Sequence, residues 1–127
     1  MGGEGADGDG DIGHLHLFVE GEEVISDRAD ILRRWVIATA VKTMSDLIGR
    51  GHRILGYHHW TLVDNFEWAW GYSMKFGLVA MDAATQERKP RPSAAFYSEI
   101  ARANALAACM VMKYVPEALD EIFPSTS

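Results

Sequence analysis

A chain of 127 residues with a formal net charge of −6 and a pI near 5.2 is long enough for one domain that buries about two-thirds of the surface its unfolded chain exposes. The acidic balance, with no basic stripe interleaved among the aromatics, argues against a nucleic-acid partner and points to a neutral small molecule. No apolar run approaches about 18 residues, and the first residues have neither a basic start nor an apolar centre, so neither a membrane span nor a signal peptide is expected.

Residues 1–13 are rich in glycine and aspartate and offer almost nothing to bury, a composition that predicts a mobile, solvated acidic segment. Asp7, Asp9 and Asp11 have the 1, 3, 5 spacing of a calcium loop, but Ile12 stands where such a loop needs glycine and Phe18 where it needs glutamate. The opening Gly2-Gly3-Glu4-Gly5-Ala6-Asp7 begins like a calcium-binding nonapeptide, yet Asp9 fills the large apolar slot and no second copy follows. Leu15, Leu17 and Val19 then alternate as in a short strand that ends in the acidic turn 20–23. His14 and His16 share one face of that strand, but no third ligand stands at a recognisable spacing, so ordinary surface histidines are expected.

Ser26 or Asp27 can cap a helix running to about Ile48, where Gly49 and Gly51 stop it. Ile31, Leu32, Trp35, Val36, Thr39, Met44, Leu47 and Ile48 recur near the helical period and predict one apolar stripe. Asp30 and Arg34 form an i, i+4 pair on the predicted wet side, worth a few tenths of about 1 kcal/mol.

A short basic connection leads into residues 56–64, which alternate like a strand. Tyr57, His59, Thr61 and Val63 point one way and Gly56, His58, Trp60, Leu62 and Asp64 the other. Both faces are largely uncharged, which predicts a strand covered on both sides in a parallel sheet flanked by helices. His58 and His59 diverge and cannot share one metal. Beyond the turn at Asp64-Asn65 come Phe66, Glu67, Trp68 and Trp70. That dense aromatic cluster around one carboxylate sits where parallel α/β folds place their sites, past the carboxyl end of a strand.

Residues 76–81 read as a second brief apolar strand, 82–85 as a turn and 86–92 as an exposed loop. Ser93 is the predicted cap of a helix that buries Phe96, Tyr97 and Ile100 and continues through Met112, and Pro116 opens one more turn with Leu119, Ile122 and Phe123 apolar. Cys109, the single cysteine, excludes an internal disulfide, is expected to be a core thiol and fits a reducing, cytoplasmic compartment.

The run Gly56-Tyr57-x-x-Trp60-Thr61-Leu62-x-Asp64-Asn65-Phe66-Glu67-Trp68 continues through Gly71-Tyr72-Ser73-Met74-Lys75-Phe76-Gly77-Leu78-Val79, then Asp82 and Arg91-Pro92-Ser93-Ala94 with Tyr97. It closely resembles the last barrel strand and following loop of glycoside hydrolase family 1, the retaining β-glucosidases and β-galactosidases, including archaeal and chloroplast-type members. The resemblance implies an α/β fold class, the C-terminal fragment of a (β/α)8 barrel, with residues 1–26 a Gly/Asp-rich segment and variable loop and residues 27–127 the barrel part. Such a barrel takes about 250 residues, so the missing N-terminal barrel portion becomes an expected partner.

By the same resemblance the ligand is a β-linked glucoside or galactoside, and no cofactor or metal is expected. Glu67 would accept hydrogen bonds from two hydroxyls of the sugar in the outermost subsite, and Trp68 would donate its indole N–H to a neighbouring one. Trp60 would lie against the C–H face of the ring, Phe76 would line the pocket near the exocyclic group, and the Trp60–Thr61 peptide would be cis. Trp70 departs from the family, which more often has a small or acidic residue there, so the preferred sugar stays open.

Retaining hydrolysis needs two carboxyl groups about 5–5.5 Å apart. The family's acid/base lies in Thr-x-Asn-Glu-Pro and its nucleophile in Thr-Glu-Asn-Gly, and the chain contains neither. Aligning Gly5-Ala6 with the end of the second motif puts Gly3 at the nucleophile position, and a one-residue slide puts Glu4 there. Glu4 is thus a nucleophile candidate only, and the chain alone is expected not to hydrolyse glycosides.

Overall fold

The computed structural model describes residues 27–125. The acidic segment, Glu4, the aspartate triplet and the His14/His16 pair lie outside them, as does the predicted strand of residues 14–19.

Helix α1 (Asp27–Gly49) ends as its sequence predicts, with Gly51 at φ 91° and the N–H groups of Arg50, Gly51 and His52 closing on carbonyls of the last turn. Its buried face differs from the predicted stripe. Asp30, Arg33, Ile37 and Ala38 are buried, Ile31, Trp35 and Val41 pack around them, and Ile48 is exposed. Asp30 and Arg34 therefore do not sit on a wet side. The Asp30 carboxylate accepts from Arg33 Nη1 at 2.6 Å and from the backbone N–H of Ser93 at 3.0 Å, and Arg34 Nε lies 3.3 Å from it. The i, i+3, i+7 row of Asp30, Arg33 and Ile37 faces the next helix, and these charges can leave water because each is met by an opposite charge or a backbone group.

Residues 56–64 are extended, but they form no ladder: the segment makes one isolated parallel bridge, Val63 with Val79. Backbone bonds Thr61 N to Phe76 O, Leu78 N to Thr61 O, Val79 N to Leu62 O and Asp64 N to Val79 O tie it to the segment that returns after the aromatic loop. Tyr57, His59, Thr61 and Val63 are half-buried, whereas His58, Trp60 and Leu62 are exposed. The expected cover on both faces is thus present on one only, where Tyr57 packs against the core and beside Tyr97.

The second predicted strand shortens to β1 (Val79–Met81), which pairs antiparallel with β2 (Arg88–Pro90) in the register Val79–Pro90, Ala80–Lys89, Met81–Arg88. Asp82 closes the turn between them. Its carboxylate accepts from the N–H groups of Ala84 (2.9 Å) and Thr85 (2.8 Å), and the bonds from Thr85 first and Ala84 next hold this carboxyl below its ordinary value.

Helix α2 (Pro92–Ala103) begins one residue before the expected cap. Arg91 is the extended N-cap residue, Pro92 opens the helix with its fixed φ and missing N–H, and Ser93 is buried with its N–H on Asp30. The helix does not continue to Met112. Asn104 takes the left-handed conformation at φ 48°, which asparagine tolerates and which ends a helix. The chain restarts as α3 (Ala108–Tyr114), followed by a 3-10 turn at Pro116–Ala118 and the short α4 (Leu119–Ile122).

Ile37, Ala38, Leu78, Phe96, Ile100, Val111, Val115, Ala118 and Ile122 make the core between these helices. Cys109 is exposed, against the expectation of a core thiol. It lies two residues before Val111, the buried residue of α3, hence about 200° away around the helix.

Glu99 on α2 accepts hydrogen bonds from Lys113 Nζ and, at 2.6 Å, from the Tyr114 hydroxyl, both on α3. These bonds, that from Lys113 foremost, hold the Glu99 carboxyl below its ordinary value, and the same contact raises Lys113. A lowered carboxyl pKa stabilises the fold above its unfolded value and is lost as pH falls through the folded one; a raised ammonium pKa stabilises below its unfolded value and is lost as pH rises through the folded one. Glu99→Gln is accordingly expected to lower the melting temperature slightly at neutral pH and to converge with the parent chain in acid below the ordinary carboxylate range. Thermal unfolding followed by circular dichroism across pH measures this.

Candidate functional site

The aromatic loop leaves the extended segment at Asp64 and comes back at Gly77, and those two residues close it. Asp64 is 1% exposed. Its Oδ1 accepts from the Gly77 N–H at 2.8 Å and from Arg91 Nη1 at 3.1 Å; its Oδ2 accepts from Arg91 Nη2 at 2.9 Å and from the Met81 N–H at 3.3 Å. The two parallel bonds from one guanidinium are the geometry that best matches a carboxylate. Gly77 must be glycine for this closure, since a Cβ there would stand 2.4 Å from the Asp64 nitrogen and 2.7 Å from its Oδ1.

Three successive carbonyls of the returning arm are each held by a side chain from a different element. Arg33 of α1 donates to Lys75 O at 2.6 Å, and Arg91 at the start of α2 donates to Gly77 O. His59 Nε2 lies 3.2 Å from Phe76 O, which also accepts the Thr61 N–H at 3.2 Å. A carbonyl can only accept, so this contact calls for a proton on His59 Nε2; Nδ1 lies 3.5 Å from the Tyr57 hydroxyl. Burial, and then the neighbouring Tyr97, push Tyr57 up to about 12. Burial likewise lowers the Arg33 guanidinium, with Arg91 acting in the same direction and Asp30 against both.

On this frame the structure brings Glu67 and Trp60 together: Trp60 Nε1 donates to Glu67 Oε1 at 3.1 Å. The Trp60–Thr61 peptide is cis, as the resemblance implies. Glu67 neither caps the following turn with its side chain nor has Lys75 as an ion-pair partner. Trp68 begins the 3-10 turn Trp68–Trp70 at φ 48° and is 84% exposed. That turn is closed by Glu67 N to Gly71 O (2.7 Å) and Trp70 N to Glu67 O (2.9 Å). Phe66 packs edge-on to Tyr72 at 5.6 Å between centroids. Phe76 is buried beneath this surface rather than presented on it. Thus Trp60 of the extended segment meets Glu67 of the loop, Trp68 is exposed on that loop, and Phe76 belongs to its base.

Sequence reasoning passed over the closure made by Asp64, Gly77 and Arg91, and the part played by Arg33. The available signals were an acid between a strand and an aromatic cluster, and an arginine just before a helix-opening proline. Among the described residues no group of three His, Cys, Asp or Glu side chains could hold a metal ion, and no helix is long and apolar enough to cross a membrane.

Residues 18–106 match the family model described as glycosyl hydrolase family 1. The chain belongs to that family. A β-galactosidase of Saccharolobus solfataricus is 42% identical over 93 residues, 73% of this chain and 19% of its own length. A chloroplastic β-glucosidase-like protein of Oryza sativa subsp. japonica is 45% identical over 85 residues, 65% of this chain and 13% of its own length. Among solved structures, the hyperthermophilic β-glucosidase of Pyrococcus furiosus superposes with a TM-score of 0.62 at 33% identity, covering 68% of this chain and 18% of that one. The chain thus spans about a fifth or less of these relatives, and its fold is a C-terminal piece of the family's (β/α)8 barrel, with the aromatic loop following the extended segment of residues 56–64.

Gly77→Ala is expected to destabilise this family 1 piece by about 3 kcal/mol, the scale of an overpacked site. Gly56→Ala, whose new methyl meets nothing within 4 Å, should change stability by less than about 1 kcal/mol. Urea denaturation of both variants measures the difference.

Proposed function

We propose that this chain forms the wall of a retaining β-glycosidase site that holds the non-reducing sugar of a β-linked glucoside or galactoside. The observation that carries the reading is the Glu67 carboxylate fixed by the Trp60 indole at the surface of a loop rich in exposed aromatics. An ionised carboxylate only accepts, so it pairs with adjacent sugar hydroxyls, while aromatic faces cover the C–H side of the ring at small entropic expense. Trp68 supplies a second indole N–H, and Phe76 lies buried at the base of the loop.

The chain supplies binding and not bond cleavage, because neither Asn-Glu nor Thr-Glu-Asn-Gly occurs in it and retaining chemistry needs both carboxyl groups. Its partner is the rest of the barrel. Leu55 and Leu62 are exposed along the extended segment, and an open groove of about 440 Å³ is lined by Val41, Met44, Ile48, Ile54, Leu55 and Ile100, among others. Unpaired edges and apolar faces of this kind are what further barrel elements would cover. The single cysteine accords with work in a reducing, cytoplasmic compartment. A second reading, a sugar-binding module that acts without chemistry, is favoured by the closure of the loop within this chain alone.

Titration of the 127-residue chain with methyl β-D-glucoside and methyl β-D-galactoside, followed by tryptophan fluorescence and indole NMR, tests the site. Glu67→Gln is expected to weaken binding at least tenfold, since each charged hydrogen bond is worth about 1.5–3 kcal/mol. No turnover of an aryl β-glucoside is expected from the chain alone. Turnover that Glu4→Gln abolishes would overturn that part of the reading.

A further inference from the structure

We infer that Asp64 and Arg91 are positioning residues for sugar recognition: their buried ion pair, closed over Gly77, sets the placement of the Glu67 loop and keeps Glu67 within reach of Trp60. This deepens the proposed function and rests on it for its link to sugar.

The argument starts from the loop's attachments. Residues 65–76 carry Phe66, Glu67, Trp68, Trp70 and Tyr72, of which all but Glu67 are exposed. The loop places no residue in the core before Phe76, so core packing does little to set where Glu67 sits. Its internal bonds, Glu67 N to Gly71 O, Trp70 N to Glu67 O and Gly71 N to Trp68 O, shape the turn but do not aim it. Aim comes from the two ends. Asp64 fixes the outgoing end three residues before Glu67, its backbone N–H on Val79 O at 3.1 Å and its carboxylate on Arg91, Gly77 and Met81. Arg91 fixes the incoming end through Gly77 O, and is itself held by its backbone N–H on Leu78 O at 2.9 Å.

All the donors the Asp64 carboxylate uses come from the returning arm, β1 and the entrance to α2, and none from the loop it aims. The pair is 1% and 0% exposed at its side chains, so water does not compete for these bonds and the geometry stays single-valued. A bidentate guanidinium also resists rotation in a way a lone ammonium would not. Preorganisation of a binding group is supplied here by residues that would not touch the ligand.

The experiment uses the full chain, isotopically labelled, with the four tryptophan indole resonances assigned. Glu67→Gln first marks where the Trp60 indole N–H resonates without its carboxylate partner. Asp64→Asn, studied at a temperature where far-ultraviolet circular dichroism shows intact helices, is expected to move the Trp60 indole toward that position. It should also speed hydrogen exchange of the Glu67, Trp70 and Gly71 amides at least tenfold while leaving α1 amides unchanged. Arg91→Lys, which keeps the charge and loses the fork, should produce a smaller shift in the same direction. Unchanged Trp60 and loop signals in folded Asp64→Asn would overturn the inference, and so would complete unfolding of both variants, since the pair would then hold the whole fold and not the loop. Sugar titration separates the two readings. If the parent chain binds neither methyl glycoside, the proposed function fails and the loop signals still decide the positioning role; if it binds, folded Asp64→Asn should bind at least tenfold more weakly.

Discussion

A carboxylate removed from water has to find donors for both of its oxygens, and Asp64 finds them in four places. The closure of the aromatic loop rests on that arrangement. The extended segment ends there, the returning arm passes over it with only a hydrogen atom between Gly77 Cα and the Asp64 backbone, and α2 starts where Arg91 has been pulled inward to reach it. Buried ion pairs of this sort add little net stability compared with apolar groups of the same shape, because desolvation offsets most of the attraction. What they do well is exclude alternatives: a slipped register would leave a charge unpaired in the interior.

A second buried carboxylate does for the helices what the first does for the loop. Asp30 joins α1 to α2 by accepting the Ser93 N–H at the first turn of α2, where unpaired backbone N–H groups and the helix dipole favour a negative charge. Arg33 spans the two systems, with one nitrogen on Asp30 and another on the Lys75 carbonyl. Three guanidiniums, those of Arg33, Arg34 and Arg91, thus meet two carboxylates, and each also donates to a backbone carbonyl, of Lys75, Tyr114 and Gly77 in turn, while the buried Arg33 Nε is left without a partner among the described residues. Polar contacts, more than apolar packing, connect the core of helices to the aromatic loop.

The core itself is small and one-sided. It lies between α1, α2, α3 and α4 and includes Leu78 from the returning arm, while the extended segment beside it leaves Leu55, Trp60 and Leu62 exposed. That extended segment has one half-buried and one bare face. The relatives, of which this chain spans about a fifth or less, have the remaining length to supply neighbours for the bare one.

The sequence by itself determined the family, the long helix α1, the extended course of residues 56–64 and the aromatic-rich turn around Glu67, because these depend on short-range signals: periodicity, glycine stops and an ordered run of aromatic and acidic residues. It also implied the cis peptide after Trp60 through the resemblance. Tertiary structure alone decided which charges are buried. By spacing, Asp30 with Arg34 is an ordinary surface pair, and only the arrival of Ser93 from 63 residues away makes it a joint. Arg91 looks like part of an exposed loop until Asp64, 27 residues earlier, draws it inside. Cys109 and the break at Asn104 follow from how α3 must turn to put Val111 in the core. Local pattern fixes what a segment can be, but burial of a polar group depends on a partner that only folding brings near.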